Sequence, residues 1–217
     1  MKILFAILIA AALGYFLGSL NFSIIIVKTM TGKDIREMGS KNAGLTNTYR
    51  CAGKTCALLT LVGDVFKGVL AVSLAMFGSI LGAGIKGDTQ YIGYIAGIGA
   101  VMGHIFPVYY GFRGGKGVLA AASSFIMINP KVLIAVLMIF IVILAISKYV
   151  SLASIFSAAY SPLAVFAMSY IVDKCSLGAS ILYTVLVAVM AVTIIRKHKP
   201  NIDRLIAGTE NKFIFRK

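Results

Sequence analysis

Seven apolar stretches, separated by short polar segments, restrict this chain to one environment. They run from Ile3 to about Val27, about Cys56 to Leu81, Tyr91 to about Tyr109, Val118 to Ile128, Val132 to about Ser147, Val150 to Val172 and Ser180 to Ile195. A helix rises 1.5 Å per residue, so the longer stretches each cross a hydrocarbon core of about 30 Å. Backbone groups in lipid must be satisfied within the segment, which makes each stretch helical. Val118–Ile128 is too short to cross comfortably as a straight helix; it is expected to start inside the preceding loop or to be a half-helix. Charged residues make up 13% of the chain, against about 25% in soluble domains. The expected fold is therefore all-α, a single polytopic domain over residues 1–217 with about seven transmembrane helices. The first stretch is too long for a signal-peptide core and lacks a clear small-residue cleavage site, so it reads as a retained helix.

The net charge of +14 would suit nucleic acid in a soluble protein. In so apolar a chain it fits loops facing anionic headgroups instead, and no nucleic-acid partner is expected. Sixteen lysines and arginines fall on one side if the 28–54 insert is cytoplasmic: six in the insert, Arg113, Lys116, Lys148 and seven in the tail from Arg196 onward. Four, Lys2, Lys86, Lys131 and Lys174, fall on the other. That asymmetry predicts the N-terminus outside and the C-terminus in the cytoplasm. Cys51, Cys56 and Cys175 form neither a disulfide framework nor a metal-ligand spacing, so no metal is expected.

Three polar segments then share the cytoplasmic face. Gly103–Gly117 reads GHIFPVYYGFRGGKG. In Gly114-Gly115-Lys116-Gly117 the absence of Cβ lets backbone N–H groups turn together toward an anion, with Lys116 as a point charge and Arg113 as a fork of donors. It is not a Walker A loop, because Val118 follows Gly117. The competing reading is a tight turn whose cations only set topology. Met38–Arg50, MGSKNAGLTNTYR, places Ser40, Asn42, Thr46, Asn47 and Thr48 among glycines beside Lys41 and Arg50, without an acid. That suits an anionic, hydroxylated ligand; a solvated loop of turn formers is the alternative. Ser40 has no histidine or carboxylate adjacent in sequence to activate it as a nucleophile.

The tail, KHKPNIDRLIAGTENKF, places His198 and Asn201 on one face of a helix that Pro200 can begin. His198 and Asp203 have H-x4-D spacing, read here as coincidence. Glu210 is expected to pair with Arg204 or tie the tail to a loop. Asp64 and Lys67 lie on one face of the second apolar stretch, either paired with each other or serving a ligand. Ser151 and Ser154 could bond a neighbouring helix or a ligand.

Together the three segments carry a resemblance. GSKNAGLTNTYR resembles the first motif of the PlsY family of bacterial membrane acyltransferases, commonly GSGNPGATNVLR; GHIFPVYYGFRGGKGV resembles its second and HKPNIDRLIAGTENK its third. The departures are Lys41 for glycine, Ala43 for proline and Leu45 for alanine. The resemblance implies transfer of a fatty acyl group from acyl phosphate to the sn-1 hydroxyl of glycerol 3-phosphate, giving lysophosphatidate and phosphate without acyl-CoA, metal or cofactor. It implies that Ser40 and Arg50 bind and orient substrates, aided by Asn42, Thr46 and Asn47. Gly114, Gly115, Lys116 and Gly117 would hold phosphate. His198 and Asn201 would complete the catalytic set, with Ser154 a ligand contact and Glu210 structural. It also implies a multi-pass protein of the bacterial cell membrane, with lipid as a partner. The rival class is a small-anion transporter or channel, favoured by the spans, the glycine-rich breaks and the intramembrane Asp64 and Lys67. A phosphatase or CDP-alcohol transferase lacks its clustered acidic or histidine motif here.

Overall fold

The computed structural model describes residues 1–82 and 89–213. Lys86, Arg216 and Lys217, counted above for orientation, lie outside the described residues. Chain contacts divide the protein into two compact units, Met1–Ile128 and Asn129–Lys217.

The first unit contains α1 (Lys2–Gly18), α2 (Phe22–Thr31), α3 (Leu45–Leu81), α4 (Gln90–Ile105) and α5 (Val118–Ile128). The second contains α6 (Pro130–Ser147), α7 (Val150–Phe166), a π-helical continuation Ala167–Val172, α8 (Leu177–Lys197) and the short α9 (Lys199–Ile206). No strand occurs among the described residues. Among the described residues six segments are long and apolar enough to cross a membrane: Lys2–Thr31, Leu45–Leu81, Gln90–Tyr110, Pro130–Ser147, Val150–Val172 and Leu177–Lys197. Val118–Ile128 is a shorter apolar helix; its eleven residues reach only about 16 Å. This is the architecture of a multi-pass membrane protein.

Two boundaries differ from the hydropathy reading. The first stretch breaks at Ser19–Asn21, because buried Asn21 caps α2: its Oδ1 accepts the Ile24 N–H (3.3 Å) and the Ser23 hydroxyl (2.8 Å). A side chain that satisfies the first-turn donors of a new helix competes with continuing the old one. The helix of the second apolar stretch, α3, begins at Leu45, eleven residues before the apolar run at Cys56, and turns at Gly53, whose φ of 84° is left-handed. The end of the polar insert is thus helical. Asn129 caps α6, which begins at Pro130, two residues before the apolar stretch: its side chain accepts the N–H groups of Lys131 (3.2 Å) and Val132 (3.4 Å).

The first unit is centred on the α1–α4 contact, which is close because small residues meet across it. Ideal Cβ atoms at Gly14 and Gly18 would overlap the backbones of Ala96 and Ala100, and those at Gly99 and Gly103 would overlap the α1 backbone at Ala11 and Tyr15. Without a hydrophobic drive between helices in lipid, such close packing is a main source of association. The obstructing atoms are backbone, so nothing flexible can yield. Gly103→Val is expected to cost at least the ~1–3 kcal/mol typical of an overpacked core, read as a lower thermal midpoint in detergent. An unchanged midpoint would show that the two helices do not meet at Gly103.

Candidate active site

The insert folds as a pinned loop on the first unit. Asp34 caps a 3-10 turn, Ile35–Glu37, by accepting the Arg36 N–H at 2.9 Å. Ile35 is buried against Ile24, Val27 and Ala43. Asn47 is the tie: its Nδ2 donates to the carbonyls of Ile35 (3.3 Å), Met38 (2.9 Å) and Asn42 (3.1 Å), while its Oδ1 accepts the Ser40 N–H (3.0 Å). Ser40 is left exposed at the loop tip, between Gly39 (φ 52°) and Lys41 (φ 58°). Both flanking residues are left-handed, a conformation that costs a residue with a Cβ about 1–2 kcal/mol. Glycine at position 41, as in the family motif, would relieve it.

The glycine-rich loop folds back on the last turn of α4. Gly115 N–H donates to the His104 carbonyl (3.0 Å) and Gly114 N–H to the Ile105 carbonyl (3.2 Å). These two N–H groups are therefore committed to the fold and do not turn to an anion as the sequence suggested. Immediately after them Gly117 takes φ 83° and α5 begins. The first-turn N–H groups of a helix have no intrahelical partner and carry the positive end of its dipole, which is the ordinary place for an anion. Gly115 is where this loop meets the insert. A Cβ there would overlap His104 Nε2 on one side and the Ala43 carbonyl on the other. Arg36 fastens the same junction, donating to the carbonyls of Tyr110 (2.7 Å) and Arg113 (3.3 Å) while Asp34 holds its remaining donors. The Arg36 hydrogen bond keeps the Asp34 carboxyl below its usual range. The break between α1 and α2 supports the loop from behind: Tyr15 hydroxyl donates to the Phe106 carbonyl (2.9 Å), Ser19 Oγ accepts the Val108 N–H (3.4 Å), and Asn21 Nδ2 donates to the Ala43 carbonyl (3.4 Å).

Of the residues singled out in the sequence, Ser40, Asn42, Thr46, Asn47, Arg50, Gly114, Gly115, Lys116 and Gly117 all lie on these two touching loops or on the start of α3. Asn42, Thr46, Arg50 and Lys116 are half-buried. Asp34, Arg36, Asn21 and His104 were missed as parts of the site. Arg36, Asn21 and His104 have partners distant in sequence, and Asp34 joins through its near neighbour Arg36, so only the Asx and charge signals of each residue were visible.

In the second unit His198 is buried where α8 passes into α9, and its Nδ1 lies 2.8 Å from the Ile194 carbonyl. A carbonyl only accepts, so Nδ1 carries a proton, and in a neutral ring Nε2 is then the basic nitrogen. Asn201 follows on the first turn of α9, its N–H donating to the His198 carbonyl (2.8 Å). Glu210 gathers the tail: its Oε1 accepts from Asn201 Nδ2 (2.7 Å) and Ser151 Oγ (2.8 Å), its Oε2 from Arg204 Nε (2.7 Å). Ser154 Oγ donates within its own helix to the Val150 carbonyl (2.8 Å). Asp203 is exposed and pairs with Lys199 (3.1 Å), so the H-x4-D spacing makes no dyad. Among the described residues no cluster of histidine, cysteine or carboxylate side chains has the form of a metal site.

Burial pushes the Glu210 carboxyl up, but the hydrogen bonds from Asn201, Ser151 and Arg204 outweigh it and hold the group below its usual value. A carboxyl depressed by folding contributes fully above its unfolded pKa, about 4.3, and loses that contribution as pH falls through the lower folded value. Protease nicking after Arg204 is expected to be slow at neutral pH and to accelerate only on acidification below the ordinary glutamate range. Glu210→Gln should raise the neutral rate and flatten the profile. A flat profile in the unmodified protein would show that Glu210 does not hold the tail.

Residues 8–208 match the protein-family model described as Glycerol-3-phosphate acyltransferase. The chain is 40% identical over 209 residues to a protein of that name from Clostridioides difficile, covering 96% of each. It is 39% identical to another from Paraburkholderia phymatum, covering 94% of this chain and 91% of that one. Among solved structures it is similar to PlsY, an integral membrane glycerol 3-phosphate acyltransferase. The glycerol 3-phosphate form superposes with a TM-score of 0.79 at 31% identity, covering 96% of both chains. The lysophosphatidic acid form superposes at 0.76 and 30% identity, covering 96% of this chain and 95% of the other.

Proposed function

The chain belongs to the glycerol-3-phosphate acyltransferase family and is an acyltransferase; from that premise we propose that it moves a fatty acyl group from acyl phosphate to the sn-1 hydroxyl of glycerol 3-phosphate. The family match displaces the reading as an anion transporter. The observation that carries the proposal is the junction at Gly115, which packs the Ser40–Arg50 segment against the Lys116 loop. Both are cationic and neither motif holds a carboxylate, so the pair suits two phosphate-bearing substrates.

In this reading the glycerol oxygen attacks the acyl carbonyl carbon, a C–O ester bond forms, and the C–O bond to phosphate breaks. Phosphate leaves with the electron pair. A leaving group this good needs no protein nucleophile, and alignment of hydroxyl and carbonyl supplies much of the acceleration. The hydroxyl proton goes to His198 Nε2 or to a substrate phosphate oxygen. Ser40 and Arg50 orient the substrates, with Asn42, Thr46 and Ser154 as further contacts. Lys116, Gly117 and the first turn of α5 hold phosphate, while Gly114 and Gly115 shape the loop. We assign Asn47 to holding the Ser40 loop, because both ends of its amide are used there. Asn201 and Glu210 set the tail that carries His198. No cofactor or metal takes part, and 1–217 is one acyltransferase domain in this reading.

We place the protein in a bacterial cell membrane, with its acyl chain substrate and product in lipid, its N-terminus outside and its C-terminus in the cytoplasm. The support is the asymmetry of lysine and arginine. In proteoliposomes given acyl phosphate and labelled glycerol 3-phosphate, label should enter the lipid phase as lysophosphatidate. Label accumulating unreacted in the lumen would contradict the proposal. Single cysteines at positions 41 and 212 should resist an impermeant reagent in intact cells, and one at 131 should react; the reverse pattern would invert the orientation.

A further inference from the structure

A buried polar chain lies directly beneath the glycine-rich loop. Asp64 and Lys67, each 1% exposed, are one turn apart on α3 and pair at 2.7 Å. Lys67 Nζ also reaches the Leu20 carbonyl (2.7 Å), at the break between α1 and α2, and His104 Nδ1 (3.0 Å), on the last turn of α4. His104 is 3% exposed, and its other ring nitrogen, Nε2, lies against Gly115. Two helices and the α1–α2 break are thus joined through one ammonium group, and His104 carries the connection to the loop.

An ammonium has three donors and no acceptor. With Lys67 as the ammonium partner of the Asp64 carboxylate, each of its three donors has one neighbour, and the Leu20 carbonyl and His104 Nδ1 accept from it. Nδ1 must then present its lone pair, which places the single ring proton on Nε2, the nitrogen facing the loop. The His104 carbonyl meanwhile accepts the Gly115 N–H (3.0 Å). One residue therefore holds Gly115 by its backbone and stands against it by its ring. A buried charged pair seldom adds net stability over apolar packing, and its retention is better explained by the arrangement it fixes.

We propose that Asp64, Lys67 and His104 are positioning residues that fix the His104 ring as its Nε2–H form against Gly115 and so hold the Lys116 loop in its phosphate-binding shape. This rests on the loop being the phosphate site. The role is not catalytic: it acts through the loop on how tightly a phosphate substrate is held.

The chain has only two histidines, so long-range 15N–1H spectra of histidine-labelled protein in detergent, assigned with His198→Asn, read the tautomer directly. The neutral form protonated on Nε2 is expected for His104. Asp64→Leu/Lys67→Met removes both charges together, a change often tolerated by folding. It should release the tautomer preference and raise KM for glycerol 3-phosphate or acyl phosphate about tenfold, the scale of one lost charge-assisted hydrogen bond. The kcat should change much less. If the double variant does not fold, His104→Gln and His104→Asn make the same comparison. Gln offers an amide near the Nε2 position and should keep KM near that of the unmodified protein, whereas Asn reaches only the Nδ1 position and should raise it.

A His104 ring protonated on Nδ1, or on both nitrogens, overturns the proposal, as does an unchanged KM in the folded double variant or equal KM values for Gln and Asn. Gly115→Ala separates this failure from that of the underlying reading. If Gly115→Ala raises KM while the double variant does not, the relay alone is wrong. If neither variant affects a phosphate substrate, the loop is not the phosphate site.

Discussion

Gly115→Ala is expected to reduce kcat/KM about a hundredfold or more, the scale of an ångström-level misplacement of reacting groups. The added methyl has nowhere to go. One neighbour is the backbone carbonyl of Ala43, in the first motif; the other is His104 Nε2, whose ring is held from behind by Lys67. The loop itself is tied to α4 through the Gly115 and Gly114 N–H groups. Accommodating the methyl means parting the two loops that carry Ser40, Arg50 and Lys116. The loss should fall on KM for a phosphate substrate and, because the loops separate, also on kcat. Gly178→Ala is the control, since a Cβ there meets open space, and it should retain full activity. A Gly115→Ala protein within twofold of the unmodified kcat/KM would mean that the junction is not part of the site.

His198→Asn should lose about a hundredfold or more in kcat/KM, within the range of a removed general base, while Asp203→Ala retains most activity. Asparagine can still donate to the Ile194 carbonyl and keep the α8–α9 corner, but it has no basic nitrogen at the Nε2 position. Asp203 is exposed and paired with Lys199, so its loss touches only the surface. Near-complete loss in both variants, with folding intact, would revive the H-x4-D dyad. Retention in both would move the proton to a substrate phosphate oxygen, the other acceptor available in the reaction.

The spans were legible because hydropathy integrates over many residues and the bilayer sets a length. Breaks inside them were less so. Asn21 ends one helix and caps the next, yet it sits among Leu20, Phe22 and three consecutive isoleucines, Ile24 to Ile26, and a sum over the window hides it. The start of α3 at Leu45 was hidden for the opposite reason. Its first turns are polar, and a helix that carries Asn47 and Arg50 gives no apolar signal. Gly53, within the 28–54 insert, takes a left-handed φ of 84° as a kink within the helix.

The candidate site divides in the same way. Residue types named its two loops, because few other residues can turn tightly and meet phosphate. The use of individual N–H groups was not legible: Gly114 and Gly115 spend theirs on α4, which no local pattern shows. His104 stood in the quoted motif but had no assigned role, since Asp64 and Lys67 lie in a different helix. Lys41 is the instructive departure. Its left-handed φ of 58° explains why glycine is common there, and it shows that the loop keeps its shape without one.

The most direct measurement supplies purified protein with acyl phosphate and glycerol 3-phosphate, then with acyl-CoA and glycerol 3-phosphate, and quantifies lysophosphatidate and inorganic phosphate together. Direct transfer predicts that the two products appear in equal amounts with acyl phosphate and that acyl-CoA supports no transfer. Phosphate release without lysophosphatidate, or robust product from acyl-CoA in the absence of acyl phosphate, would contradict it.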